Sequence, residues 1–290
     1  MDAVAAALQR DGLRLRDVVA ICAATSIDYA VVFLGALRAG VAVAPLPPGA
    51  TPATLARMLD DADAKLLFTT REVDVGGAGV RRVVLDDGIS NSPSSPGGGG
   101  GDGGASPSID SSSSLAGASS QGLASWLEGA GTFAHVTIDP DAPFNIIYSS
   151  GTTGEPKGIV QPQSMRWAYA RRAHRYGYGA DAVALVSTPL YSNTTLVVFF
   201  PALAFGGCVV LSTKFDARGW LELAQRQRVT HAMLVPVQYE RLLAHADFDR
   251  FDLSSFRWKF VTSAPFAPAT KRAAITRWPG ELAEFYGSTE

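Results

Sequence analysis

The chain has 290 residues, 47% of them hydrophobic, which suits two domains or one domain with subdomains around a sizeable core. A formal net charge of −2 gives no electrostatic footprint for nucleic acid. Cys22 and Cys208 stand far apart and outside any metal or redox motif, so they suit a reducing compartment and read as buried small hydrophobes.

The amino terminus, MDAVAAALQRDG, lacks the basic start and long apolar core of a signal peptide. From Val18 the chain alternates between strand and helix patterns. VVAICA (18–23) reads as a buried strand, and Ser26 caps a helix whose Tyr29, Val32, Phe33, Ala36 and Leu37 form one apolar stripe before Gly40 ends it. VAVAPL returns as a strand. Thr51-Pro52 opens a second helix, with Leu55, Met58, Leu59 and Ala62 facing inward, and KLLFTT follows as a strand. Repeated strand–helix–strand units predict a parallel sheet covered by helices.

Composition then changes. Between Ser90 and Ser120 only Ile109 and Leu115 are large and apolar, so about 90–120 reads as a disordered low-complexity insertion that cannot offset its ordering entropy. Beyond it, FNIIYS reads as a strand, a glycine-rich loop leaves its end, and a helix follows near Ser164 to Tyr176. Arg166, Arg171, Arg172 and Arg175 read as the solvated face of that helix. Strands near 182–188, 208–213, 230–236, 257–263 and 281–287 alternate with helices. The most apolar window, TTLVVFFPALAFGGCVVL, is broken by Pro201, Gly206 and Gly207; it reads as a buried helix and then a strand, not a membrane span.

The glycine-rich stretch YSSGTTGEPKG (148–158) combines glycines that let backbone N–H groups approach an anion, hydroxyl donors and one lysine. It is not a P-loop, because Lys157 is followed by Gly158 rather than a hydroxyl residue. Nor is it a dinucleotide fingerprint, because no glycine stands at 149. In open α/β sheets, ligands bind beyond the carboxyl ends of strands. Four segments fall there: SSGTTGEPKG, TPLYSNTT, TSAP and YGSTE.

YSSGTTGEPKG resembles, at every position, the nucleotide-binding signature [YF]-[ST]-S-G-[ST]-T-G-x-P-K-G of the adenylate-forming superfamily. That superfamily comprises acyl- and aryl-CoA synthetases, peptide-synthetase adenylation domains and luciferases. LRAGVAVAPL (37–46) is similar to a structural element of the family, and YGSTE matches its Y-G-x-T-E motif. TSAPF partly matches the family's S-G-G-A-P-L turn, which lies near adenine and the acyl group. The resemblance covers the chain outside the low-complexity insertion.

The resemblance implies an α/β fold of two successive parallel-sheet α/β/α subdomains, the large domain of the family. The first would span 1–176 with the phosphate loop, and the second 177–290. It implies that Ser149, Ser150, Gly151, Thr152, Thr153, Gly154 and Lys157 hold the β- and γ-phosphates of ATP. Ser263, Ala264 and Pro265, with Tyr286, Gly287 and Ser288, would lie about the adenine and acyl groups. Thr289 would orient the α-phosphate and Glu290 bind Mg²⁺. Tyr191 would line the route between the acyl pocket and the thiol entry, with Ser192 where many CoA ligases carry histidine, and Lys214 could meet phosphates of coenzyme A.

The implied reaction is attack of a carboxylate on the α-phosphorus of ATP, then thioester formation. A carboxylate is already ionised near pH 7, so Lys157, Thr289 and Glu290 would act by charge and position rather than as bases. His174, His231 and His245 then read as structural; His135 has no context. TPLYSNTT lacks the aspartate that amino-acid-adenylating domains use, which favours a carboxylic acid without an α-amine, and so a carboxylic acid–CoA ligase with ATP and CoA as small-molecule partners. With no signal-peptide pattern and no unbroken apolar span, the protein is expected to be cytoplasmic. The alternatives are an adenylation domain serving a carrier protein and a non-catalytic nucleotide-binding fragment. Relatives continue past the position of Glu290 with a ribose-binding aspartate and a small mobile domain carrying a catalytic lysine. The chain alone is therefore expected to be incomplete for turnover.

Overall fold

A computed structural model describes residues 1–85, 121–150, 156–287 and 289. The predicted insertion at about 90–120 lies outside the described residues. The chain opens with α1 (Asp2–Arg10), β1 (Val18–Cys22), α2 (Ile27–Arg38), β2 (Ala42–Pro45), α3 (Pro52–Asp61), β3 (Ala64–Thr69) and β4 (Arg81–Val84). After residue 120 come β5 (Gln121–Gly122), α4 (Leu123–Leu127), β6 (Pro143–Ser150), β7 (Pro156–Pro162) and α5 (Gln163–Ala173), which runs into a 3₁₀ turn (His174–Tyr176). The remainder is β8 (Val183–Val186), α6 (Asn193–Ala204), β9 (Cys208–Leu211), α7 (Ala217–Arg226), β10 (His231–Leu234), α8 (Pro236–Leu243), β11 (Trp258–Val261), α9 (Pro268–Arg277) and β12 (Glu281–Glu284).

The strands form two sheets. The first has the order β5-β4-β3-β1-β2-β6-β7 and is parallel except for the β6–β7 pair; the second, β12-β11-β10-β8-β9, is parallel throughout. The helix starts follow the sequence signals: Ser26 Oγ accepts from Tyr29 N at 3.1 Å, and Thr51 Oγ1 accepts from Thr54 N at 3.3 Å.

The layers are set by which side chains are buried together. One core joins Val19 and Ile21 of β1, Phe33 of α2, Phe199 of α6, Val186 of β8 and Phe260 of β11, so α2 and α6 lie between the two sheets. Phe200 of α6 tightens this layer, its ring 4.9 Å from Phe144 and 5.7 Å from Phe33. A second core packs α7, α8 and α9 on the outer face of the second sheet, around Trp220, Tyr239 and Trp278. A third packs α3 on the outer face of the first sheet.

One strand is added and one expectation changes. Before the predicted helix near Ser164 to Tyr176, which is present as α5 and its 3₁₀ extension, comes β7, an antiparallel edge strand. The β-branched pair Ile159-Val160 favours extension, and prolines at both ends of the strand confine it to an edge. Cys208 is exposed on β9, whereas Cys22 is buried and desolvation pushes its thiol up to about 12.

Candidate active site

The signature stretch folds as a hairpin, with residues 151–155 between its strands. Ser149 pairs with Lys157 and Ser150 with Pro156, so the lysine is carried on a strand directly opposite a signature serine. Lys157 is exposed and Ser149 half-buried. Gly151, Thr152, Thr153 and Gly154 lie outside the described residues.

Tyr148 and Gly158, the two ends of the signature, face each other across the hairpin. The glycine is required by close approach. A Cβ there would stand 2.9 Å from Asp61 Oδ2, 3.1 Å from Ile146 Cγ2 and 3.2 Å from Tyr148 Cε1. The Tyr148 hydroxyl lies 2.7 Å from Asp61 Oδ2 and 2.8 Å from the Met58 carbonyl, tying the hairpin to the last turn of α3. Burial first, then the Asp61 carboxylate, hold its phenol above the ordinary range.

A cavity of about 340 Å³ opens at the carboxyl ends of β8, β11 and β12, where parallel topology places ligands. Ser263 follows β11; Tyr286, Gly287 and Thr289 follow β12; all four line it. Much of its wall is aromatic, with Tyr169, Tyr176, Phe260 and Phe285, and no carboxylate lines it among the described residues. Ser263 is left-handed, at φ 77°, and its hydroxyl lies 2.8 Å from that of Thr194 at the start of α6. A non-glycine residue held there stores about 1–3 kcal/mol of strain. Thr262 Oγ1 donates to the Phe285 carbonyl at 2.9 Å, joining the two loops that carry these residues.

Other candidates stand apart. Ala264 and Pro265 are exposed beside Ser263 without lining the cavity. Tyr191 is half-buried outside the lining, and Lys214 is exposed after β9, its backbone carbonyl accepting from Ser212 Oγ at 3.0 Å. Ser288 and Glu290 lie outside the described residues. No three His, Cys, Asp or Glu side chains converge as a metal site among the described residues. Mg²⁺ at a triphosphate needs only one or two carboxylates, because phosphate oxygens and water supply the rest.

The arginine cluster does not form one solvated face. Arg166 is 4% exposed, and Arg172 and Arg175 line the cavity. The periodicity of α5 hid this, because its cavity-facing stripe alternates Tyr169, Arg172 and Tyr176 in place of apolar residues. Asn193 and Thr194, part of the TPLYSNTT segment expected at the strand ends, also line the cavity, though neither was given a role of its own. His231 is structural as expected: it is buried, stacks on Tyr178 at 4.0 Å, and its Nε2 lies 2.8 Å from the Tyr176 carbonyl.

Two parallel-dominated sheets, an edge hairpin carrying the signature and a cavity at the strand ends define the large domain of adenylate-forming enzymes. ATP-bound MatB from Rhodopseudomonas palustris superposes with a TM-score of 0.78 over 100% of this chain and 53% of its own, at 24% identity. The family model described as "AMP-binding enzyme" matches residues 1–290, and the chain belongs to that family. It is 34% identical over 159 residues to an indoleacetate–CoA ligase of Aromatoleum aromaticum, covering 53% of this chain and 30% of that protein. It is 29% identical over 300 residues to 4-coumarate–CoA ligase 1 of Oryza sativa subsp. japonica, covering 99% of this chain and 50% of that enzyme. The chain thus spans about half the length of the curated relatives it matches along its whole extent.

Proposed function

We propose that the chain carries the nucleotide- and acyl-binding part of an AMP-forming carboxylic acid–CoA ligase. One observation carries this reading. Gln161, in the strand that carries the end of the signature, donates from Nε2 to the Thr289 carbonyl at 3.2 Å, so that strand and the YGSTE segment, far apart in sequence, meet. A carboxylate oxygen forms a bond to the α-phosphorus of ATP while the bond to the pyrophosphate oxygen breaks. Ser149, Ser150, the 151–154 loop and Lys157 hold the departing phosphates, and Thr289 orients the α-phosphate. Mg²⁺, held by Glu290, would neutralise phosphate charge. A thiol then attacks the acyl carbonyl, AMP leaves, and the thiol proton passes to solvent.

The aromatic cavity wall supports an aryl or acyl substrate, and CoA as acceptor is in keeping with the relatives' names. The absence of a lining carboxylate among the described residues disfavours an α-amino acid, whose ammonium would need one. Mg²⁺ dependence, a part in fatty or aromatic acid metabolism and a cytoplasmic location belong to the same proposal. Among the described residues no helix is long and apolar enough to cross a membrane. A division at 176/177 is supported by the split of strands between the two sheets, although a shared core joins the halves. Product analysis of the full-length protein with ATP and a panel of fatty and aromatic acids tests the acceptor. Acyl-CoA as the product supports the reading; transfer only to a carrier protein would replace it, and no adenylation of any acid would leave a non-catalytic nucleotide-binding domain.

A further inference from the structure

Arg166 is the least conventional residue beside the cavity. Its guanidinium is buried, and no carboxylate pairs with it among the described residues. Its acceptors are three side-chain amide oxygens: Asn145 of β6 at 3.3 Å, Gln161 of β7, and Asn193 of α6 at 2.7 Å. The guanidinium also lies 5.8 Å from the Phe144 ring and 6.0 Å from that of Tyr169. Burial pulls it down to about 10, which leaves it protonated at neutral pH.

A buried cation without a counter-charge is a poor way to gain stability; apolar residues of similar volume commonly do as well or better. What this one does is geometric. With the Gln161 oxygen turned to Arg166, its amide nitrogen faces Thr289 and donates to that carbonyl. Asn193, Tyr169 and Thr289 all line the cavity, and each touches Arg166 directly or through one side chain. Asn145 and Gln161 sit in the two strands that hold the glycine loop between them.

We propose that Arg166 is a positioning residue of the adenylation site, fixing Asn193 and, through Gln161, Thr289 relative to the hairpin that carries the phosphate loop. This rests on the ligase reading above. A planar fork meets several acceptors in fixed directions at once, which a lysine ammonium does not reproduce. Small misplacement of a group that orients the α-phosphate is enough to slow the reaction strongly.

The test uses acid-dependent ATP–pyrophosphate exchange and thermal unfolding of the full-length protein. Gln161→Glu is the informative variant: its carboxylate still accepts from Arg166, but it loses the N–H that Thr289 receives. It should keep or raise Tm while kcat falls about tenfold or more, with KM for ATP within about threefold. Arg166→Lys should lower kcat in the same way, and the double variant should be no slower than the slower single, because both act in one chain of contacts. If Arg166→Lys does not fold, Gln161→Glu decides alone. A kcat for Gln161→Glu within about twofold of the parent overturns the inference and leaves Arg166 a packing residue. An inactive parent, with every acid, overturns the ligase reading and this inference with it.

Discussion

Gly158→Ala probes why the signature ends in glycine. The added Cβ would meet Asp61 Oδ2 at 2.9 Å, Ile146 Cγ2 at 3.1 Å and Tyr148 Cε1 at 3.2 Å. Asp61 can swing aside, but only by releasing the Tyr148 hydroxyl 2.7 Å away. Ile146 and the tyrosine ring must each yield slightly, and overpacking of this kind costs about 1–3 kcal/mol. A hydrogen bond to a charged group contributes about 1.5–3 kcal/mol. The hydroxyl keeps the Met58 carbonyl at 2.8 Å as an acceptor, so only part of that contribution is lost. The expected total is about 2–3 kcal/mol, a fall in Tm of roughly 6 °C. Tyr148→Phe should cost about 1 kcal/mol. The double variant should be less destabilised than the sum of the singles, since Asp61 then has no Tyr148 hydroxyl to release. Urea unfolding of the three variants is the assay. A Gly158→Ala loss under about 0.5 kcal/mol, with additive behaviour in the double, would refute the packing role.

Other predictions concern residues around the same site. Ser263→Gly should stabilise by up to about 1 kcal/mol, because release from the left-handed region outweighs one exposed hydrogen bond; Ser263→Ala should destabilise, and denaturant midpoints in the reverse order would contradict this. Burial holds the His231 imidazole below its ordinary value, so the folded state binds fewer protons than the unfolded state around that value. Stability should be full above about pH 6.5 and fall as the pH drops further. The neighbouring Asp181 carboxylate is lowered and Arg257 raised, each first by the hydrogen bond between them, which keeps both outside this window. His231→Gln should flatten the decline between about pH 7 and 5 in thermal melts, and an unchanged slope would count against it. A thiol reagent should titrate the exposed Cys208 quickly in the native protein and Cys22 only on unfolding; two fast thiols would show that the β1 core opens readily.

Much of the fold was legible because local signals agreed with the global one. Ser26 and Thr51 announced α2 and α3, and apolar runs bounded by turn residues announced most strands. The β7 strand was not legible, since PKGIVQP carries prolines at both ends and a glycine within, all residues depleted in strands. The motif residues after β11 and β12 were placed correctly at strand ends because parallel topology fixes that edge. Arg166, read from sequence as solvated, is buried, and its link to Asn193 was not legible for a different reason. A buried arginine satisfied by amide oxygens leaves no pattern in sequence, because its partners lie on three other elements and none is charged. Lys259 is a parallel case: it looks like an ordinary strand lysine, yet it is fully buried and donates to the Trp278 and Pro279 carbonyls at 2.9 and 2.7 Å, bracing the turn into β12.

The central claim is that the β6–β7 hairpin holds the leaving pyrophosphate while a carboxylate attacks ATP. Exchange of labelled pyrophosphate into ATP by the full-length protein measures that step without the thiol. It should require an added carboxylic acid, and Lys157→Ala should lower its kcat by about 10²-fold, because charge on the departing group is greatest in the transition state. Exchange that needs no acid, or that proceeds at the parent rate in Lys157→Ala, would contradict the claim.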